Sequence, residues 1–161
     1  MPATSPVYAG ARVTAAVLAA AVGVTAWKAS PTSLTSNTTL TADPDLVVPL
    51  AANATYQVQM VLSNCAGGGS GALKYNFAVP AGASGDYTVV QNSTGGTVGI
   101  FDAGGWASVL ASNCNAGVML NGFLFTAAAA GSLQFMWAQN SSSGTATTVG
   151  MGSFLWVRRV A

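Results

Sequence analysis

Two segments of this chain alternate apolar and polar residues with a period of two. In Tyr56–Leu62, residues Tyr56, Val58, Met60 and Leu62 fall on one side, with Gln57 and Gln59 on the other. In Ala72–Val79, residues Leu73, Tyr75, Phe77 and Val79 oppose Lys74 and Asn76. Successive side chains of an extended chain point to opposite faces, so this pattern gathers its apolar residues on one face only in a strand. Further candidate strands are Asp45–Leu50, Asp86–Gln91, Thr97–Phe101, Val118–Thr126, Ser132–Gln139 and Phe154–Val160. Pro49 puts the first of these at a sheet edge or a strand end, because proline has no N–H to give to a ladder. Turn signals separate the strands at Ala66–Gly71, Pro80–Gly85, Ser93–Gly96, Gly104-Gly105 and Asn140–Gly144. No amphipathic helical pattern follows residue 30. The expectation is an all-β fold, a jelly-roll-like β-sandwich of about eight strands over residues 34–161.

Some strands are apolar on both sides. Met119, Phe123 and Phe125 alternate with Val118, Leu120 and Leu124, and Phe154, Trp156 and Val160 alternate with Leu155 and Val157. One face of each belongs to the core, and the second needs cover. Both could lie inside one domain; an interface between subunits is the favoured reading, with Phe123, Phe125, Phe154 and Trp156 as its residues.

Charge supports that preference. The chain has 161 residues but only five Lys or Arg and four Asp, with no Glu and no His, for a net charge of +1. Ordinary soluble domains are about a quarter charged, against 6% here. A surface so poor in charge suits a protein packed in a large assembly, where a buried unpaired charge is costly, or an exported one. Arg12, Lys28, Lys74, Arg158 and Arg159 are too few and scattered to form a footprint for nucleic acid. Without His or Glu, most acid–base and metal chemistry lacks its usual residues. No catalytic residue, cofactor or metal is expected.

The remaining motifs read mostly as structure. Cys65 and Cys114 sit in matching Ser-Asn-Cys contexts; a disulfide and two reduced thiols are both open readings. Asp43-Pro44-Asp45 spaces two carboxylates to share one side of a strand. A glycosidase pair or a calcium ligand pair is conceivable, but a solvated turn before Leu46–Val48 is favoured, since Asp and Pro form turns. Asp86 and Asp102 read as turn residues too. Gly67–Gly71 lacks the lysine and following helix of a phosphate loop. Trp106, after Gly104-Gly105, is the one plausible loop-borne platform for a sugar ring.

Residues 1–33 read as an N-terminal arm. Val13–Thr25 resembles the apolar core of a signal peptide, but no basic region precedes it and Gly23 and Thr25 interrupt it. It is also too short for a membrane span. Thr14–Ala21 fits two helical turns. Arg12, Val13, Val17 and Leu18 would meet a partner, since so short an apolar arm cannot bury itself.

Several phrases carry a family resemblance. They are Ala9–Ala15 (AGARVTA), Thr38–Leu40 (TTL), Leu46–Tyr56 (LVVPLAANATY), Gly131–Asn140 (GSLQFMWAQN), Thr145–Val149 (TATTV) and Gly152–Leu155 (GSFL). Together they resemble virion structural proteins, minor capsid (decoration) or minor tail proteins, of tailed phages of actinobacteria. About residues 63–117 are not covered. The resemblance implies a non-enzymatic, homotrimeric jelly-roll module on a virion. Its expected partner is the major capsid protein, and its place is the outside of the head, assembled in the host cytoplasm. Two alternatives stand beside this: a tail-tip or fibre protein binding a host-surface glycan, and a secreted bacterial β-sandwich.

Overall fold

A computed structural model describes Thr14 and residues 22–63, 72–91, 94–102, 108–109 and 117–161. These residues form twelve strands: β1 (Val24–Trp27), β2 (Thr32–Leu34), β3 (Thr41–Leu50), β4 (Thr55–Leu62), β5 (Leu73–Ala78), β6 (Ser84–Gln91), β7 (Thr94–Asp102), β8 (Ser108–Val109), β9 (Val118–Phe125), β10 (Gly131–Gln139), β11 (Thr147–Val149) and β12 (Phe154–Arg159). The protein is nearly all-β, as its alternation predicts. One sheet runs β1-β12-β4-β9-β6-β7, a second runs β3-β10-β5-β8, and β11 pairs with β2. The paired neighbours in these sheets are antiparallel.

The two larger sheets pack as a sandwich over one core. Val58, Met60 and Leu62 from β4 meet Leu73, Tyr75 and Phe77 from β5, all buried on the predicted face. Aromatic rings bridge the layers. Phe77 on the four-stranded sheet lies 5.1 Å from Phe101 and 5.5 Å from Tyr87 on the six-stranded sheet, and Tyr87 lies 4.7 Å from Phe101. Edge-on and tilted contacts at these separations suit the quadrupoles of the rings. β3 is an edge strand, which accommodates Pro44 and Pro49.

The sequence expectations need correction in three places. Among the described residues, sheet structure begins at Val24, ten residues before the expected boundary at 34, because β1 pairs along its length with β12. The last part of the expected arm is therefore woven into the sandwich. The expected turn at Ser93–Gly96 gives way to strand from Thr94 onward, and Asp86 and Asp102 lie in strands. Asp43 is not in a solvated turn: it is fully buried within β3.

A candidate assembly face and a buried ionic cluster

The inner side of the six-stranded sheet makes half of the core, and its outer side carries an unusual amount of apolar surface. Cross-strand register assembles it in rows. Trp27 stands opposite Phe154, Phe154 opposite Val61, Val61 opposite Met119, and Met119 opposite Val90. These five residues come from five adjacent strands, and at about 4.8 Å between strands the row is about 19 Å wide. Trp27 is 59% exposed, Val90 53% and Met119 44%. Phe123, Phe125 and Ile100 add exposed apolar surface further along the same side. Apolar residues scattered singly on a surface are ordinary, but contiguous patches mark contact sites.

Of the four sequence-predicted interface residues, Phe123 and Phe125 are about half exposed, and Phe154 and Trp156 are partly covered. Trp156 is covered by the chain itself. Its indole Nε1 donates to the Val22 carbonyl at 3.1 Å, and Arg158 lies over its ring at 5.9 Å. Alternation groups Met119 with Phe123 and Phe125 but does not join it to Trp27 or Val90. Trp27 falls in the expected arm, and Val90 and Met119 are contiguous with it only through strand order.

The row borders a polar zone. Gln59 donates to Asn121 at 3.2 Å, and Arg158 Nη2 donates to Gln57 at 2.9 Å. A shallow depression of about 350 Å³ lies over Gln57, Asp86, Thr88, Asn121 and Phe123. Arg158 on β12 and Asp86 on β6 flank the face from opposite sides, both exposed, with Gln57 and Phe123 between them in register.

The second notable site is internal. Directly after β1, Lys28 is pinned by its backbone, donating to Ser153 O at 2.9 Å and accepting from Gly152 N at 3.0 Å. Its ammonium enters the interior with no exposed surface. Nζ lies 3.1 Å from Asp43 Oδ1, 3.0 Å from Asp43 Oδ2 and 3.0 Å from Asp45 Oδ2. The spacing of two does bring both carboxylates to one group, but that group is a lysine rather than a metal or a sugar. The local cause is a bulge. Five residue steps of β3, from Ala42 to Val47, face two of β10, from Met136 to Gln134. The kink turns Asp43 inward, where its Oδ1 accepts from the backbone N–H of Asp45 at 3.0 Å and of Leu46 at 3.1 Å. Trp137 Nε1 donates to Oδ2 at 3.1 Å. Trp137 itself is buried in the core.

Arg12, Val13, Val17, Leu18, Cys65, Cys114 and Trp106 lie outside the described residues, as does the expected helix apart from Thr14. Among the described residues, no cluster of His, Cys, Asp or Glu is arranged to hold a metal, and no helix is long and apolar enough to cross a membrane. No protein-family model matches this chain, and neither does any curated protein or solved structure.

Proposed function

We propose that this is a non-enzymatic structural protein of a phage particle, a capsid decoration protein that assembles as a homotrimer on the head. The observation that carries the reading is the apolar row Trp27, Phe154, Val61, Met119 and Val90, on a sheet whose other side is already the core. Its occupants in this reading are the same faces of two further copies, the three meeting around a three-fold axis. A cation and an anion at opposite flanks, Arg158 and Asp86, give such a face opposite charge to meet in its copy. The net charge of +1 leaves little repulsion between copies.

The strand order supports the finer jelly-roll assignment. Strands β3 to β10 pair first with last and inward: β3 with β10, β4 with β9, β5 with β8 and β6 with β7. That is the order of one long antiparallel hairpin rolled into two sheets, the jelly-roll topology of many capsid proteins. The resemblance of the chain's two ends to virion proteins supports the same reading. Residues before Val24 would contact the major capsid protein, and three anchors on one trimer would bind with avidity.

The test is the copy number of this protein relative to the major capsid protein in purified virions, by quantitative mass spectrometry. The expected ratio is one, or a simple fraction such as one third. A few copies per particle would overturn head decoration and favour a tail protein, with the polar depression over Gln57, Asp86 and Asn121 as the place to seek a glycan.

A further inference from the structure

We propose that Lys28 and Asp43 condense into an intramolecular amide, a covalent staple between the end of β1 and β3. The inference concerns the buried cluster and holds whether or not the chain belongs to a virion.

The cluster has the parts such a condensation needs. Lys28 Nζ is a nucleophile placed almost equidistant from the two oxygens of Asp43, at 3.1 and 3.0 Å, which puts it in the plane that contains Cγ and bisects the carboxyl group. Both side chains have no exposed surface. A buried ion pair bears the desolvation of two charges, and turning it into a neutral amide removes both. Condensation of an amine with a carboxylic acid is unfavourable for separate molecules in water. Groups held at about 3–3.5 Å reach effective concentrations of about 10⁵–10⁸ M, and water is excluded here.

Each remaining contact has a role. Nζ passes one proton to Asp43 Oδ2, leaving a neutral amine and a carboxylic acid. The nitrogen lone pair attacks Cγ, forming the Nζ–Cγ bond. Negative charge builds on Oδ1, which the backbone N–H groups of Asp45 and Leu46 already bind at 3.0 and 3.1 Å. Donors preset where charge develops are the main device of acyl-transfer sites. Asp45 Oδ2, 3.0 Å from Nζ, takes the second proton from nitrogen and returns it to the departing hydroxyl. The Cγ–Oδ2 bond breaks, and one water leaves beside Trp137 Nε1 and the partly exposed Asp45. Of the three ammonium protons, one stays on the amide and two leave in the water. Asp45 ends as the carboxylate it began as, and nothing is oxidised or reduced.

The staple has a mechanical consequence. Strand β1 is an edge strand paired only with β12 among the described strands, so tension on the preceding residues would peel it. An amide from Lys28 to Asp43 ties the end of β1 to the other sheet.

Intact-mass spectrometry of the purified, folded full-length protein tests this directly. The expected mass is lower than that of the sequence by one water, and fragmentation of a digest yields a branched peptide joining Lys28 to Asp43. Lys28→Arg should restore the sequence mass. Asp43→Asn should lose ammonia instead of water and arrive at the wild-type mass. Asp45→Asn should slow the appearance of the bond at least tenfold while circular dichroism stays β-type. The proposal is overturned if the folded wild-type chain keeps its full sequence mass. It is equally overturned if the missing water maps to another residue pair or persists in Lys28→Arg, as an aspartate cyclised on its own backbone would.

Discussion

Tyr87 stands directly opposite Gly122 in the β6–β9 ladder, and its side chain fills the space a side chain at 122 would need. A methyl group at Gly122 would lie 2.6 Å from Tyr87 Cβ and 2.2 Å from the Asp86 carbonyl oxygen. Gly99, opposite Tyr87 on β7, is in the same position, with the Tyr87 ring 2.3 Å from where its methyl would be. Tyr87 thus closes off two glycines on the strands that flank it, Gly99 with its ring and Gly122 with its Cβ and Cα. Gly122→Ala should cost about 1–3 kcal/mol by overpacking, and Tyr87→Ala about 3–5 kcal/mol through the cavity it leaves. Gly144→Ala, with nothing within 4 Å, should change stability by less than about 0.5 kcal/mol. Urea unfolding midpoints of the three variants check the order.

Gln139 joins the end of β10 to the β2–β11 pair. Its fully buried amide accepts from Asn37 N at 3.3 Å and Ser143 N at 3.1 Å, and donates to Thr145 O at 2.9 Å and Thr147 Oγ1 at 3.3 Å. Each buried group left unsatisfied costs about 1–3 kcal/mol. Gln139→Leu should destabilise by about 2–4 kcal/mol, on that scale for partly rehydrated groups. Hydrogen exchange of the Asn37 and Ser143 amides should speed up before that of the central strands.

Before Lys28 and Asp43 condense, removing Asp43 leaves the fully buried Lys28 with only the partly exposed Asp45 as a partner. Asp43→Ala should cost about 3–5 kcal/mol, the usual penalty for breaking a buried pair. Asp45→Asn should cost less than about 1 kcal/mol, because the Asp45 side chain is 38% exposed. Unfolding of both variants by guanidinium, compared with wild type taken before the amide forms, tests the asymmetry.

On the outer face, the double variant Trp27→Ser/Phe123→Ser should leave the monomer within about 1 kcal/mol of wild-type stability. It should abolish self-association in sedimentation velocity. Val58→Ser, on the buried side of the same sheet, should do the reverse and lower stability while the surviving folded protein still associates. A wild-type protein that stays monomeric at high micromolar concentration would remove the self-association reading.

Legibility in the sequence followed the range of the interaction. Val58, Met60 and Leu62, and Leu73, Tyr75 and Phe77, were assignable to the core from alternation alone, since a strand's two faces are set by neighbours two residues apart. Pro49 marked an edge because its missing N–H is a property of the residue itself. Asp43 reads as a turn residue from its neighbours; it lies in β3, but its carboxylate makes the local bonds such a residue makes, accepting from the N–H groups of Asp45 and Leu46. What turns that motif into a buried ionic centre is Lys28, fifteen residues away, and Trp137, ninety-four away; no local rule couples them.

The class of fold, the inward faces of the longer strands and the scarcity of charge are all legible in the residues alone. Each follows from single residues or from spacings of two. Which outward residues become one surface is set by the folded arrangement, because Trp27, Phe154, Val61, Met119 and Val90 are scattered along the chain and meet through strand order alone. The same holds for the lysine and carboxylates in the interior. Strand order is fixed by the packing of the whole core, a sum over contacts distant in sequence, and so it decides what a residue touches after alternation has decided which way it points.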